Sequence, residues 1–270
     1  MISNNKSKEK ETTGVSGQYP PDKKLSQNSF EKKWRKRFEG FAVNSEDDAA
    51  IAGWSSTGLK ARLRHFVHLW KRIPSNDGLW LDIGCGAGTY SAFLVEQNKS
   101  VIGFDYSLPT LQKARKKGTG LVCWCAADVN KIPVKRNSVD GVICFGVTQA
   151  LVNSETVVSE LARVVRPGGQ VWIDALNGWC LPHLWEALLR WARGRPMHLR
   201  YESHHHIRRL MQSNGLENVE LYWLPIFPSR YHRFQWIVET STMQWFFCYI
   251  PLLGTLFSHA FIFRGERPLK

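Results

Sequence analysis

From Leu79 onward the chain alternates between two hydrophobic patterns. Short, mostly apolar runs, at Leu79-Trp80-Leu81, Ser100–Phe104, Leu121–Cys125, Val139–Cys144 and Gln170–Ala175, are separated by stretches with helical rather than alternating spacing. The runs suit strands buried on both faces, and the stretches at Tyr90–Val95, Leu108–Lys117 and Glu155–Val165 suit helices. Arg166-Pro167-Gly168-Gly169 punctuates the last helix and stops it. Apolar strands joined by helices of about ten to fifteen residues predict an α/β fold, a mostly parallel sheet with helices on both faces.

The flanks follow other patterns. Ser55, Ser56 and Thr57 offer N-caps to a helix whose Leu59, Leu63, Phe66, Val67, Trp70 and Ile73 share a face, with Lys60, Arg62, Arg64, Lys71 and Arg72 on the remainder and Pro74 at its end. Residues 1–29 are rich in Lys, Ser, Asn, Gly and Pro and predict a disordered basic tail. Residues 30–74 predict an N-terminal helical cap, in which Phe30–Phe41 sets aromatics among bases. The remainder, 75–270, is the main domain, with aromatic-rich insertions at about 177–201 and 228–258. The last 95 residues hold six of the twelve Trp and seven of the fourteen Phe. They predict helices at Leu181–Arg193 and Ser203–Ser213 and strands at Val219–Phe227 and Ala260–Arg264. Thr240–Phe263 contains no Asp, Glu, Lys or Arg, but Pro251, Gly254 and His259 interrupt it. The expectation there is a buried or membrane-touching helix plus a core strand, not a membrane span.

Charge changes this picture little. The formal charge is +13, yet Met1–Arg37 alone carries ten Lys and Arg against four acids. A basic tail accounts for much of the excess, and no base-reading motif accompanies it, so nucleic acid is a disfavoured partner. The six cysteines lack structural-zinc spacing and read as free thiols in a reducing compartment. With a polar, charged N-terminus in place of a secretory signal, a cytoplasmic protein is expected, with peripheral membrane contact through the aromatic C-terminal segment as the one route to a membrane.

Candidate chemistry lies at successive strand ends. Asp82 enters a turn with Gly84, Gly86 and Gly88 at alternate positions, which lets a flat ligand lie against backbone. Asp105 ends the next strand, about twenty residues on, where a carboxylate can accept from both hydroxyls of a ribose. Asp128 follows the third strand, placed to accept from an adenine amino group, and Phe145-Gly146-Val147 follows the fourth and can wall the pocket. An acid entering the loop opposes a pyrophosphate but suits an ammonium and a sulfonium, so the cofactor indicated is S-adenosyl-L-methionine. A nicotinamide-dependent reductase of the short-chain type needs Tyr-x-x-x-Lys after the fourth strand, and the only such spacing is Tyr19–Lys23.

These motifs resemble class I S-adenosylmethionine-dependent methyltransferases, most closely the ubiquinone/menaquinone-type group of small-molecule enzymes. The resemblance rests on LDIGCGAGTY (81–90), VIGFDYS (101–107), AADVNKIPVKRNSVDGVICFGVTQAL (126–151) and ELARVVRPGGQVWIDAL (160–176). It implies a Rossmann-like seven-stranded sheet ending in a reversed strand, with Gly84, Gly86 and Gly88 toward the methionine part and Asp105 on the ribose. Tyr106 would pack near the adenine, Asp128 with Val129 would read its edge, and residues Phe41–Ile73 would form an N-terminal cap over the site. The insertions suggest a lid for a small hydrophobic acceptor, an RNA methyltransferase being the alternative. No catalytic base is assigned among His183, His204, His205, His206 and His232, and no metal site is expected. Acceptor identity and oligomeric state are left open.

Overall fold

The computed structural model describes residues 27–118, 120–197, 199–227 and 229–269. The tail expected over 1–29 lies outside the described residues up to residue 26, and its last three positions open the first helix. Three helices precede the sheet: α1 (Gln27–Asn44), α2 (Asp48–Ile51) and α3 (Ser56–Trp70). Ser55 caps α3 by accepting from the Gly58 N–H. Then follow β1 (Leu79–Ile83), α4 (Thr89–Glu96), β2 (Ser100–Asp105), α5 (Leu108–Lys117), β3 (Val122–Ala126), β4 (Val139–Cys144), α6 (Glu155–Val164) and β5 (Val165–Leu176). The C-terminal third adds α7 (Leu181–Ala192), α8 (His204–Ser213), β6 (Glu217–Leu224), three short helices α9 (Gln235–Glu239), α10 (Ser241–Tyr249) and α11 (Pro251–Phe257), and β7 (Ala260–Glu266).

The seven strands form one sheet in the order β3-β2-β1-β4-β5-β7-β6. β1 to β5 run parallel, and β7 is antiparallel to both β5 and β6. The order reverses beside β1, which opens a crevice at the carboxyl ends of β1, β2 and β4, where ligands bind in such sheets. Two cross-strand pairs of Trp against Gly help fix the register. Trp80 of β1 is opposite Gly141 of β4, and Gly103 of β2 is opposite Trp124 of β3. A Cβ on Gly141 would come within 2.4 Å of the Trp80 ring, so the bare backbone is what lets the indole lie flat across the strand.

One core layer, under α6 and α8, includes Leu81, Val142, Leu161, Ile173 and Phe263. The other holds Phe66 and Trp70 of α3 against Trp80, Phe93 and Trp172. The Phe66 ring stands edge-on to Phe145 at 5.0 Å and to Trp172 at 5.4 Å between centroids, so α3 is part of the core.

Three local expectations need correction. Arg62 was expected on the solvated face of α3 but is buried. The Arg166–Gly169 turn lies inside β5, where the register against β4 shifts and Gly168 adopts φ +80, so helix passes directly into a bulged strand. The apolar stretch from Thr240 is not one buried helix. It breaks at Ile250-Pro251, and Trp245, Tyr249, Leu252 and Phe257 face outward. No helix among the described residues is long and apolar enough to cross a membrane.

Candidate active site

A cavity of about 1150 Å³, open at its mouth, lies at the carboxyl ends of β1, β2 and β4 beneath α1, α2 and the start of α3. The glycine turn forms its floor. Gly84 and Gly86 line it with φ of +72 and +53, and a Cβ on Gly86 would project into open space. Gly88 is not on the wall. It caps α4 at φ +88, and a Cβ there would come within 2.6 Å of Trp124, so its role is the turn itself.

Asp105 ends β2 on the wall. Its carboxylate accepts from the Gly86 N–H at 3.1 Å and the Ser107 N–H at 2.9 Å, which ties the acid to the turn. Burial pushes its pKa up, against those bonds. Two bonds leave a carboxylate with acceptor capacity for a ligand hydroxyl. Tyr106, Asp128, Val129 and Phe145 also line the cavity. Burial raises Asp128, but hydrogen bonds from Asn130 and the Arg35 guanidinium outweigh it and hold the pKa below the usual carboxylate value. Arg35 is ion-paired to Asp128, and the Tyr106 hydroxyl donates to the Arg35 carbonyl at 3.1 Å.

Asp82 is the site residue that the structure moves. It does not line the cavity; Ile83 does. Successive side chains on a strand point to opposite faces, so once Ile83 faces the ligand Asp82 faces α4. There it accepts from the Ser91 hydroxyl at 2.6 Å, and burial pushes its pKa up to about 7. Asp82 therefore secures α4 behind the turn and offers no carboxylate to the cavity.

The opposite wall comes from the cap. Glu31, Trp34, Arg35 and Phe38 of α1, Ile51 of α2 and Trp54 face the glycine turn and Phe145. The local pattern of aromatics among bases signalled amphipathy there, but not that this face closes the pocket. None of the lining residues comes from 177–201 or 228–258, so the aromatic lid expected from those insertions is replaced by α1.

The cap is fastened at the β5 end by a pair that sequence reading missed. Arg62 Nη1 lies 2.8 Å from Asp174 Oδ2, both side chains nearly inaccessible. The Gly146 N–H donates to the other Asp174 oxygen at 2.6 Å, and Trp54 stacks on the Arg62 guanidinium at 4.2 Å. Gly146, at φ +74, lacks the Cβ that would strike Trp54 at 2.6 Å. The signal was Asp174 itself, a lone acid inside an apolar strand, which requires a buried partner.

No histidine lines the cavity. His183 is buried with its Nε2 2.9 Å from Nδ1 of His259, and His204 to His206 open α8. Among the described residues no group of three His, Cys, Asp or Glu is arranged to hold a metal ion.

Sheet order, glycine turn and the acids after β2 and β3 together define a class I S-adenosylmethionine-dependent methyltransferase fold. Residues 81–173 match the family model described as a methyltransferase domain. The chain is 26% identical over 159 residues to a ubiquinone biosynthesis O-methyltransferase of Idiomarina loihiensis, covering 54% of this chain and 65% of that protein. It is 36% identical over 111 residues to a malonyl-[acyl-carrier protein] O-methyltransferase of Salmonella typhimurium, covering 40% and 44%. In both, the match spans less than two thirds of the relative's length. The crystal structure of a magnesium protoporphyrin IX methyltransferase from Synechocystis with bound S-adenosylhomocysteine superposes with a TM-score of 0.56 at 15% identity, covering 89% of this chain and 97% of that one, a likeness of fold.

Proposed function

We propose that this chain transfers a methyl group from S-adenosylmethionine to a small, largely apolar acceptor held beneath α1. The observation that carries this reading is one cavity whose wall combines polar cofactor-type groups with a set of aromatic rings. The polar groups are the Gly86 backbone, Asp105 and Asp128, and the rings are those of Trp34, Phe38, Trp54, Tyr90 and Phe145. The residues fit the cofactor. The space beside Gly86 admits a ligand against the main chain, and Asp105 retains acceptor capacity for a ribose. Asp128, with Val129 beside it, suits the edge of an adenine once Arg35 yields.

When bound, S-adenosylmethionine supplies a methyl group on a positively charged sulfur that departs as a neutral thioether. What the chain supplies is placement and a dry enclosure. The aromatic wall excludes water and offers ring faces to a cation. Aligning acceptor, methyl carbon and sulfur removes much of the barrier to an in-line displacement. No histidine lines the wall, and Glu31 and Asp48 are carboxylates there that can take a proton if the acceptor must lose one. The printed name of one relative, a ubiquinone biosynthesis O-methyltransferase, agrees with a small acceptor.

Equilibrium titration with S-adenosylhomocysteine tests the reading. One site is expected, with Asp105→Ala weakening it about a hundredfold, the scale of two lost charge-assisted hydrogen bonds. Absence of binding at millimolar ligand overturns it.

A further inference from the structure

The C-terminal third turns a large apolar face to solvent. On α7, Leu181, Trp185, Leu188 and Trp191 recur at helical spacing and form one stripe, and that stripe points outward, with exposures of 44%, 62%, 50% and 72%. An amphipathic helix in a folded domain ordinarily buries this stripe. The helices that follow β6 repeat the inversion. α11 packs beside α7 and α10, and the face continues through Trp236, Trp245 and Tyr249, the last two with ring centroids 4.8 Å apart. An exposed patch of this extent marks a docking surface.

We infer that this face docks on an anionic lipid bilayer. Three observations select that occupant. First, the exposed side chains are dominated by Trp and Tyr, whose amphipathic rings prefer the headgroup level of a membrane. Second, the surrounding charge has the matching sign. Residues 177–201 and 228–258 contain six arginines against two glutamates; Arg190 is paired with Glu186 and Arg200 with Glu202, and Glu239 is paired with Arg64 from outside, so the balance stays positive. Arg193 and Arg195 lie exposed just beyond the stripe of α7. Third, α10 and α11 are nine and seven residues long, enough to lie in an interface and too short to span one.

The position of the face adds a consequence. β5 leads into α7, and the α9–α11 run leads into β7 at Ala260, which pairs with Leu176. The face therefore shares the carboxyl end of the sheet with the cavity, and an acceptor dissolved in the bilayer would be delivered beside it. That last step rests on the proposed methyl transfer; the lipid contact does not.

Flotation of the full chain with vesicles tests the contact without reference to activity. Binding is expected to vesicles of phosphatidylcholine mixed with phosphatidylglycerol, and weaker binding to phosphatidylcholine alone. Replacing three rings together, Trp185→Ser, Trp191→Ser and Trp245→Ser, should weaken binding about tenfold or more with the thermal unfolding midpoint unchanged, since buried apolar area sets the affinity. Trp191→Ser alone, at the most exposed of the three, should show the same loss on a smaller scale if the triple variant does not fold. Arg193→Glu with Arg195→Glu should weaken binding to the mixed vesicles only. No flotation with either vesicle overturns the inference. So does flotation that the Trp substitutions leave intact and high salt abolishes, which assigns the contact to the basic residues ahead of Gln27. A Trp variant that converts a dimer to a monomer in sedimentation equilibrium, without any lipid binding by the parent protein, assigns the face to a second copy instead.

Discussion

Two helices of the cap, α1 and α3, face the same cavity but are held by different physics. α3 is part of the core: Leu59, Phe66, Leu69 and Trp70 are buried, and Arg62 is sealed against Asp174. Among the described side chains of α1 only Trp34 is buried, and it lies over the cavity rather than in either main core layer. At the rim Arg35 meets Asp128 with both partners about two fifths exposed, the Arg35 carbonyl accepts from the Tyr106 hydroxyl, and Glu31 accepts from the Val152 N–H. Exposed ion pairs contribute little, about 0–1 kcal/mol each, whereas breaking a buried pair costs about 3–5 kcal/mol. The difference assigns α3 the part of fixed wall and α1 that of the piece displaced at low cost when a ligand enters.

The largest effect should come from attacking the fixed wall. Arg62→Ala leaves Asp174 buried without its cation and should lower stability by about 3–5 kcal/mol, read by chemical denaturation. Phe66→Ala removes the ring at the centre of an aromatic cluster and should cost about 3–5 kcal/mol in the same measurement.

A pH series separates the helices next. Burial lowers the pKa of His65 on α3 to about 4, and its Nε2 has no hydrogen-bond partner. The folded state thus binds this proton less readily than the unfolded chain, with its ordinary value of 6.5. The unfolded state holds more protons in that window, so the stability present above pH 6.5 is lost as pH falls from about 6.5 toward about 4. His65→Leu should flatten that part of the stability curve. Substitutions on α1 should leave it unchanged.

The smallest expected stability effect is that of Arg35→Ala, below about 1 kcal/mol. Its consequence should appear in binding instead. Freeing Asp128 removes a competitor, so S-adenosylhomocysteine should bind severalfold more tightly, by up to about fivefold for an exposed pair. A stability loss as large as that of Arg62→Ala would erase the distinction between the helices.

Much of the fold was legible because a parallel sheet covered on both faces writes its strands as mostly apolar runs, and Val139–Cys144 and Leu108–Lys117 fall where the pattern placed them. Asp105, Asp128, Val129 and Phe145 lie on the cavity wall because strand ends and the turns after them are fixed by the same periodicity. Asp82 lies off the cavity wall, which spacing did not show because it gives a position in the turn and not which face of the strand the cavity occupies. Arg62 was misread because helical periodicity sorts residues by polarity, and a buried arginine is set by a partner 112 residues away. A cap over the site was expected from Phe41–Ile73, whereas the side chains that α1 places on the wall, Glu31, Trp34, Arg35 and Phe38, lie ahead of it in a segment whose pattern shows amphipathy and not what it covers. The aromatic insertions were read as a lid because apolar content shows a surface that needs covering and not where that surface points.

Amide hydrogen exchange of the full chain with and without saturating S-adenosylhomocysteine tests the central claim most directly. Protection is expected around Gly86, Asp105 and Asp128 and across Glu31–Phe38 of α1, with α7 and α9 to α11 unchanged. Protection of the C-terminal helices with none in α1 would contradict it, restoring the aromatic insertions as the lid and leaving α1 without a part in the site.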